Sequence, residues 1–514
     1  MHGVTGAGED STRARGISDY NARPVPMSTQ LSPGTSRAGG LPPWSTADLP
    51  APPPFTSRNV LRVIGPGAIL LATAIGGGEW LVGPAAAVKY GATIMGIATI
   101  AIVLQLVFNL EAIRYTLYTG EPIYTGFMRL APGPTSWAVI YVVLTLVQLG
   151  WPALALTAGA TVFSMGAGRL PGSDPGDVEI VRWLAIGIVG VVALLLLFGG
   201  TVERMLEYAS WSMLVFIFTF LIVANVVFVP ASDWWRTFQG FFTIRSPGGV
   251  IDWGLLGALA ATAGSGGVGN LTITNWIRDK GFGMGGCVGA IESAVGGRHA
   301  PLSPIGVVFP VTTANLLRWH GWWRYVLIDQ VIVWALFCGI GIFLTVNLAT
   351  SVVPPGSDMQ GLATGAYQAQ YMASHLWRGF WVLTLLNGFW ILFSTHLGNT
   401  DLLVRTVTDL TWTGSATARR WTRGRASLIY YAVLAAFSCW AVYTMRLAGP
   451  FALFKVMANV AGFVMAIAGV QILIVNRRFL PRALRPPLYR EVLLVLCVVF
   501  YGFFSVRVAV HAFW

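Results

Sequence analysis

The chain reads as an all-α polytopic membrane protein, two inverted repeats of five helices plus one extra helix. Three observations predict this. Of 514 residues, 55% are hydrophobic and 11% charged, with a mean hydropathy of +0.66, against about 25% charged residues in soluble domains. Apolar windows long enough for a bilayer core, which takes about 20 helical residues, recur along the whole chain. Two of them carry glycine clusters, Gly76-Gly77-Gly78-Glu79 in the first and Gly264-Ser265-Gly266-Gly267-Val268-Gly269 in the sixth. A repeat unit of five spans is odd and therefore inverts its second copy.

Residues 1–57 form a Pro/Ser/Gly-rich arm (Pro24, Pro26, Pro33, Pro42, Pro43, Pro52, Pro53, Pro54) without apolar periodicity, and disorder is expected there. Residues 58–514 form the transmembrane domain, with repeat one over about 60–230, repeat two over about 250–476 and the extra helix over about 489–511. Eleven spans are expected, at 62–88, 92–116, 136–165, 181–199, 205–229, 253–275, 326–350, 377–400, 427–446, 450–474 and 489–511. The first apolar run begins near Leu61, so no cleavable signal peptide is expected. Most of the 33 Lys and Arg fall in segments on the N-terminal side. The excess is about threefold and predicts a cytoplasmic N-terminus in a plasma or inner membrane. Trp234-Trp235 and Trp322-Trp323 stand where spans meet water and serve as interfacial anchors facing lipid headgroups.

Net charge is +12 and the isoelectric point near 9.8, but the basic residues are divided by membrane side rather than gathered, and no nucleic-acid role is expected. Cys287, Cys338, Cys439 and Cys497 stand far apart and read as small apolar packing residues. Gly281-Phe282-Gly283-Met284-Gly285-Gly286 matches G-x-G-x-x-G but has no flanking strand pattern, so no dinucleotide or other cofactor is expected. No nucleophile–base pair can be named, and the chain does not read as an enzyme.

The two glycine clusters predict the site. Hydrocarbon forces every peptide group to be satisfied internally, so a broken helix survives at membrane depth where a cavity, ion or solute takes over. Glu79 is a carboxylate near the midplane, which costs ~3 kcal/mol or more and points to a cavity or a partner. Substrate contacts are therefore expected from Gly76, Gly77, Gly78, Glu79, Gly264, Ser265, Gly266, Gly267 and Asn270, with Glu79 as the metal or proton ligand. The competing readings are capping of the restarted helix by Glu79 and close helix packing by the glycines. The pairing of clusters favours breaks over packing. Ser394-Thr395 is a weaker candidate for a coupling ion, since such hydroxyls usually bond their own backbone. Glu111 with Arg114, Glu203 with Arg204 and Glu207, and Asp401 with Arg405 and Asp409 read as solvated pairs rather than gates, Glu111–Arg114 being the leading exception.

From Gly65 to Glu79 the run Gly-Pro-Gly-Ala-Ile-Leu-Leu-Ala-Thr-Ala-Ile-Gly-Gly-Gly-Glu resembles the first transmembrane helix of the Nramp metal-ion transporters, which runs from Gly-Pro-Gly to Asp-Pro-Gly-Asn. Arg114 followed by Thr119-Gly120 resembles a second signature, and Ala261-Thr262 with Asn270-Leu271 is similar to the residues flanking the family's Met-Pro-His-Asn. The resemblance implies a LeuT-type fold and alternating access. It also departs at the metal site: Gly76 stands at the family's ligating Asp, Glu79 at its Asn, and glycine at its Met. The expected ligands are then oxygens, which favour a hard cation such as Mg²⁺ over Fe²⁺ or Mn²⁺. The expected activity is secondary transport of such a cation, proton- or sodium-coupled. The rivals are a small amine or zwitterion as cargo, and a non-transporting receptor or scaffold.

Overall fold

The structure, a computed structural model, describes residues 40–197, 202–245, 250–291, 302–359, 366–375 and 377–513. Ten helical stretches among them are long and apolar enough to cross a membrane. The principal helices are α1 (Pro66–Tyr90), α2 (Ala92–Thr119), α3 (Pro134–Leu149) continued by α4 (Ala153–Ala167), α5 (Pro175–Leu197) and α6 (Arg204–Phe228). The second half holds α7 (Trp253–Thr262), α8 (Val268–Asp279), α9 (Thr313–Val352), α10 (Gly379–Gly414), α11 (Ala426–Thr444), α12 (Pro450–Phe479) and α13 (Leu488–Ala512). The expected sixth span is the pair α7 and α8, each too short to cross alone at ~1.5 Å per residue. Helices α3 and α4 part at Gly150-Trp151-Pro152, where proline lacks the N–H that would continue the helix.

Small residues put α1 at the centre. Its most apolar window is 100% buried, whereas that of α13 is 22% buried and borders the bundle. Gly67, Gly76 and Gly78 let α1 approach its neighbours so closely that an added Cβ would lie 2.3 Å from the Asp329 carbonyl oxygen, 2.5 Å from Thr395 Oγ1 and 1.9 Å from the Thr262 carbonyl oxygen. Gly76 and Gly78 of the first glycine cluster thus form a packing seam, and the expected unwound stretch is absent. Helix α1 instead continues through Ile75–Val82 with π winding, the wider i→i+5 turn that keeps peptide groups paired while shifting the register. Helix α9 carries a second π segment, Ile328–Leu336.

The arm also departs from expectation over residues 40–57; residues 1–39 lie outside the described residues. Ser45–Thr46 pairs in parallel with Val307–Val308, Ser45 opposite Val307. Beyond it the chain runs without regular secondary structure to the short helix Ser57–Val63. Side-chain donors hold its carbonyls: Arg129 to Pro42, Arg318 to Leu49, Trp322 to Pro50, and Tyr325 to Pro53 and Pro54. Trp44 and Leu49 are buried, with the Arg129 guanidinium 4.4 Å from the Trp44 ring. Proline-rich backbone offers unpaired carbonyls, so this strap is ordered by polar docking that an apolar-periodicity criterion does not register.

Candidate functional site

Between α7 and α8 the residues Ala263–Gly267 leave helical geometry, with Gly264, Gly266 and Gly267 at φ of 109°, 78° and 58°. Only glycine adopts such angles without strain. Two glutamines brace the break. Gln105 of α2 donates to the Ala263 carbonyl at 2.9 Å and accepts from the N–H groups of Ser265 and Gly266 at 3.0 and 3.2 Å. Gln148 of α3 accepts from the Val268 N–H at 3.0 Å and donates to the Gly266 carbonyl at 3.3 Å. Several peptide groups expected to await cargo are therefore satisfied by protein. Sequence reasoning missed both glutamines, whose signal was a single amide in an otherwise apolar run.

A cavity of about 30 Å³ opens on the break, lined by Thr73, Gly77, Gln148, Gly264, Ser265, Gly266, Thr395, Asn399, Phe454 and Met457 among others. A water needs roughly 10–15 Å³ measured this way, so the space suits water or a bare ion. The buried Ser265 Oγ has no hydrogen-bond partner among the described residues. Met457 and Phe454 make the lining less uniformly oxygen than expected.

Of the sequence-predicted residues, Gly77, Gly264, Ser265, Gly266 and Thr395 meet at this cavity; Gly76, Gly78, Glu79, Gly267, Asn270 and Ser394 do not line it. Gly76 donates its N–H to Thr395 Oγ1 at 2.8 Å. Gly267 packs on Gln148 and Ala461. Asn270 donates to Asn109 Oδ1 at 2.8 Å, Asn109 to Gln330 Oε1 at 3.1 Å, and Gln330 to Asp329 at 2.9 Å. Asp329 in turn accepts the N–H groups of Gly65 and Gly67 at 3.0 and 2.8 Å, holding the start of α1. Ser394 and Thr395 both donate to the Ala72 carbonyl, at 3.2 and 3.1 Å.

Glu79 is fully buried, and neither carboxylate oxygen has a hydrogen-bond partner among the described residues. Its backbone carbonyl accepts from Thr345 Oγ1 at 2.5 Å and its Cγ lies 3.8 Å from where a Cβ on Gly341 would stand, so it packs against α9, while Gly264 and not Glu79 lines the cavity. The capping reading is not met in its simple form, because π winding leaves no helix restart at Glu79. No cluster of three His, Cys, Asp or Glu occurs among the described residues.

The ion pairs read as solvated are buried. Arg405 is 0% exposed and bridges Asp401 at 2.9 Å and Asp279. Asp401 also accepts from Trp276 and Tyr430, at 2.9 and 2.6 Å. Asp409 binds Arg278 at 2.8 Å and Asn275, tying the end of α8 to α10. Glu111 binds Arg114 at 2.7 Å and Arg490 at 3.3 Å. Glu207 pairs with Lys280, while the side chain of Glu203 lies outside the described residues. A charge pair at a helix end is solvated only when nothing covers that end; here the spans run on past their expected limits, α10 reaching Gly414.

No protein-family model matches the chain, and no curated protein matches it. Among solved structures it is similar to the Eremococcus coleocola manganese transporter in complex with an aromatic bis-isothiourea substituted compound, with TM-score 0.60 and 14% identity over 90% of this chain and 89% of that chain. A point mutant of the same transporter superposes with TM-score 0.59, 14% identity, and 90% and 89% coverage. At this identity the likeness is one of fold, and with its central α1 and interrupted α7–α8 pair the chain is a LeuT-type inverted repeat.

Proposed function

We propose that the chain is a secondary transporter that carries a small cation across the membrane by alternating access around the α7–α8 interruption. The observation that carries this is the cavity at the break: a costly interruption, braced by Gln105 and Gln148, that opens on a polar space the size of an ion. The manganese transporter of the same fold supports the class of cargo. The oxygen donors of Gln148, Ser265, Thr395, Asn399 and the nearby peptide carbonyls favour a hard divalent ion such as Mg²⁺. Glu79 supplies the compensating charge from behind Gly264 and takes a proton when the site empties, because a lone buried carboxylate is costly uncompensated. The Ser394–Thr395 hydroxyls are engaged with Ala72, and Thr395 with Gly76 as well, which favours proton over sodium coupling. The cytoplasmic placement of the N-terminal strap, by charge bias, belongs to the same reading.

The test is uptake by proteoliposomes under an imposed pH gradient, with Mg²⁺, Mn²⁺, Ca²⁺ and a panel of amines. Glu79→Gln is expected to abolish gradient-driven uptake. Undiminished, still pH-sensitive uptake by that variant would refute the coupling role. A second reading, a small amine as cargo, is favoured by Phe454 and Met457 in the lining, since a ring face attracts ammonium. It predicts thermal stabilisation by amines and none by divalent ions. No flux of any solute would leave the receptor or scaffold reading.

A further inference from the structure

We propose that the turn between α10 and α11, residues 415–425, is a headgroup site for anionic phospholipid in the leaflet on the side of the strap. Its sequence, Ser-Ala-Thr-Ala-Arg-Arg-Trp-Thr-Arg-Gly-Arg, holds four arginines and no acid. Helix α9 starts under the strap, its Arg318 and Trp322 holding strap carbonyls, and after it crosses, α10 returns to the same side. Helix α11 fixes the depth of the turn. Its 19 residues span ~28 Å at ~1.5 Å each, no more than the ~30 Å hydrocarbon core. Arg425, immediately before it, therefore stands in the headgroup layer. Only 33% of the most apolar window of α11 is buried, so the turn lies at the lipid border of the bundle.

The charge of the turn is left unanswered by protein. Arg419 is spent on the end of α10, donating to the Trp412 and Thr413 carbonyls. Arg420, Arg423 and Arg425 are exposed, and none pairs with a carboxylate among the described residues. Trp421 between them is 85% exposed, an aromatic whose ring and N–H suit the boundary of hydrocarbon and water. The turn is also built. Ser415 Oγ accepts the Ala418 N–H at 3.2 Å, and the Gly424 N–H reaches the Arg419 carbonyl at 3.0 Å. Arg423 holds a left-handed φ of 51°, alone among the described non-glycine residues, and strain of that kind persists only where surrounding structure imposes it. Phosphate matches this set, because guanidinium forks bind its oxygens in pairs. The exposed ring selects the source: a dissolved anion offers it nothing, whereas a lipid brings phosphate and the interface together. The site goes beyond the transport reading and stands without it.

The test is native mass spectrometry of the purified full-length protein, titrated with phosphatidylglycerol and, separately, with phosphatidylcholine of the same acyl chains. Phosphatidylglycerol is expected to bind more tightly. Replacing Arg420, Arg423 and Arg425 by Gln should weaken its tightest site about a hundredfold, at about fivefold per arginine. A matched variant with Arg236, Arg378 and Arg446 replaced by Gln, all exposed at the opposite ends of the spans, should keep the preference; its loss there too would mean undirected charge attraction and overturn the site. Hydrogen–deuterium exchange of the wild type in nanodiscs locates the effect without relying on any variant to fold. The amides of residues 415–425 should exchange more slowly in phosphatidylglycerol than in phosphatidylcholine. Equal exchange in the two lipids, or an unchanged preference in the Arg420, Arg423 and Arg425 variant, would overturn the proposal. So would equal protection in phosphatidylcholine nanodiscs by inorganic phosphate or by a soluble acidic peptide, which would assign the arginines to a dissolved anion. Neither readout involves flux, so failure of transport would leave the site intact.

Discussion

At the scale of single residues, the glycines do two different jobs that look alike in sequence. Gly264, Gly266 and Gly267 provide backbone angles, whereas Gly76 and Gly78 provide contact. Gly78→Ala would drive a methyl to 1.9 Å from a backbone oxygen of Thr262, and overpacking of this kind costs ~1–3 kcal/mol. A clear drop in Tm is expected. Gly339→Ala, with nothing within 4 Å, should be neutral or raise stability by up to ~1 kcal/mol through helix propensity. The glutamines are the other lesson. Gln105→Leu strips partners from the Ser265 and Gly266 N–H groups and the Ala263 carbonyl, and each buried orphan costs about 1–3 kcal/mol. The expected result is a lower Tm together with loss of uptake, measured on the same preparation.

At the scale of elements, the interruption in the second repeat and the continuous but π-wound helix in the first are different solutions to one constraint. Lipid penalises unpaired peptide groups; α1 avoids the penalty by rewinding and α7–α8 by borrowing amides. The strap obeys the same rule outside the bilayer, where its carbonyls find Arg, Trp and Tyr donors. Trp44 anchors it, 5% exposed, edge-to-face with Phe479 at 5.8 Å and under the Arg129 guanidinium. Trp44→Ala is expected to cost ~3–5 kcal/mol of local packing and to free the strap. Faster tryptic cleavage at Arg58 than in the wild type is the measurement; an unchanged rate would mean that the carbonyl contacts suffice.

For the whole molecule, buried charge pairs hold helix ends and the segments between them together, and Glu207–Lys280 joins the two repeats. Glu121 and Arg129, in the segment between α2 and α3, form one such pair beneath the strap, and Glu121 also accepts the Gly306 N–H at 2.9 Å. Burial alone would push the Glu121 carboxyl up, but the Arg129 guanidinium outweighs it and holds the group below its ordinary 4.5. A carboxyl depressed in the folded state stabilises above its unfolded value and loses that contribution as pH falls through the folded one. Tm should therefore decline progressively below about pH 4.5, with a shallower decline in Glu121→Gln, checked by thermal melts across pH.

The sequence by itself determined the class of molecule, nearly every span and the second-repeat interruption, because hydropathy and glycine clustering are local properties that the bilayer reads directly. It pointed to Gly77 and Gly264–Gly266 as cavity residues for the same reason. Only the tertiary structure decided that Gly76 and Gly78 pack, that Glu79 faces α9, that two distant glutamines hold the break, and that the charged helix ends are covered. Each of those depends on what a neighbouring helix presents at a few ångströms, and one helix's periodicity carries no record of its neighbour's face.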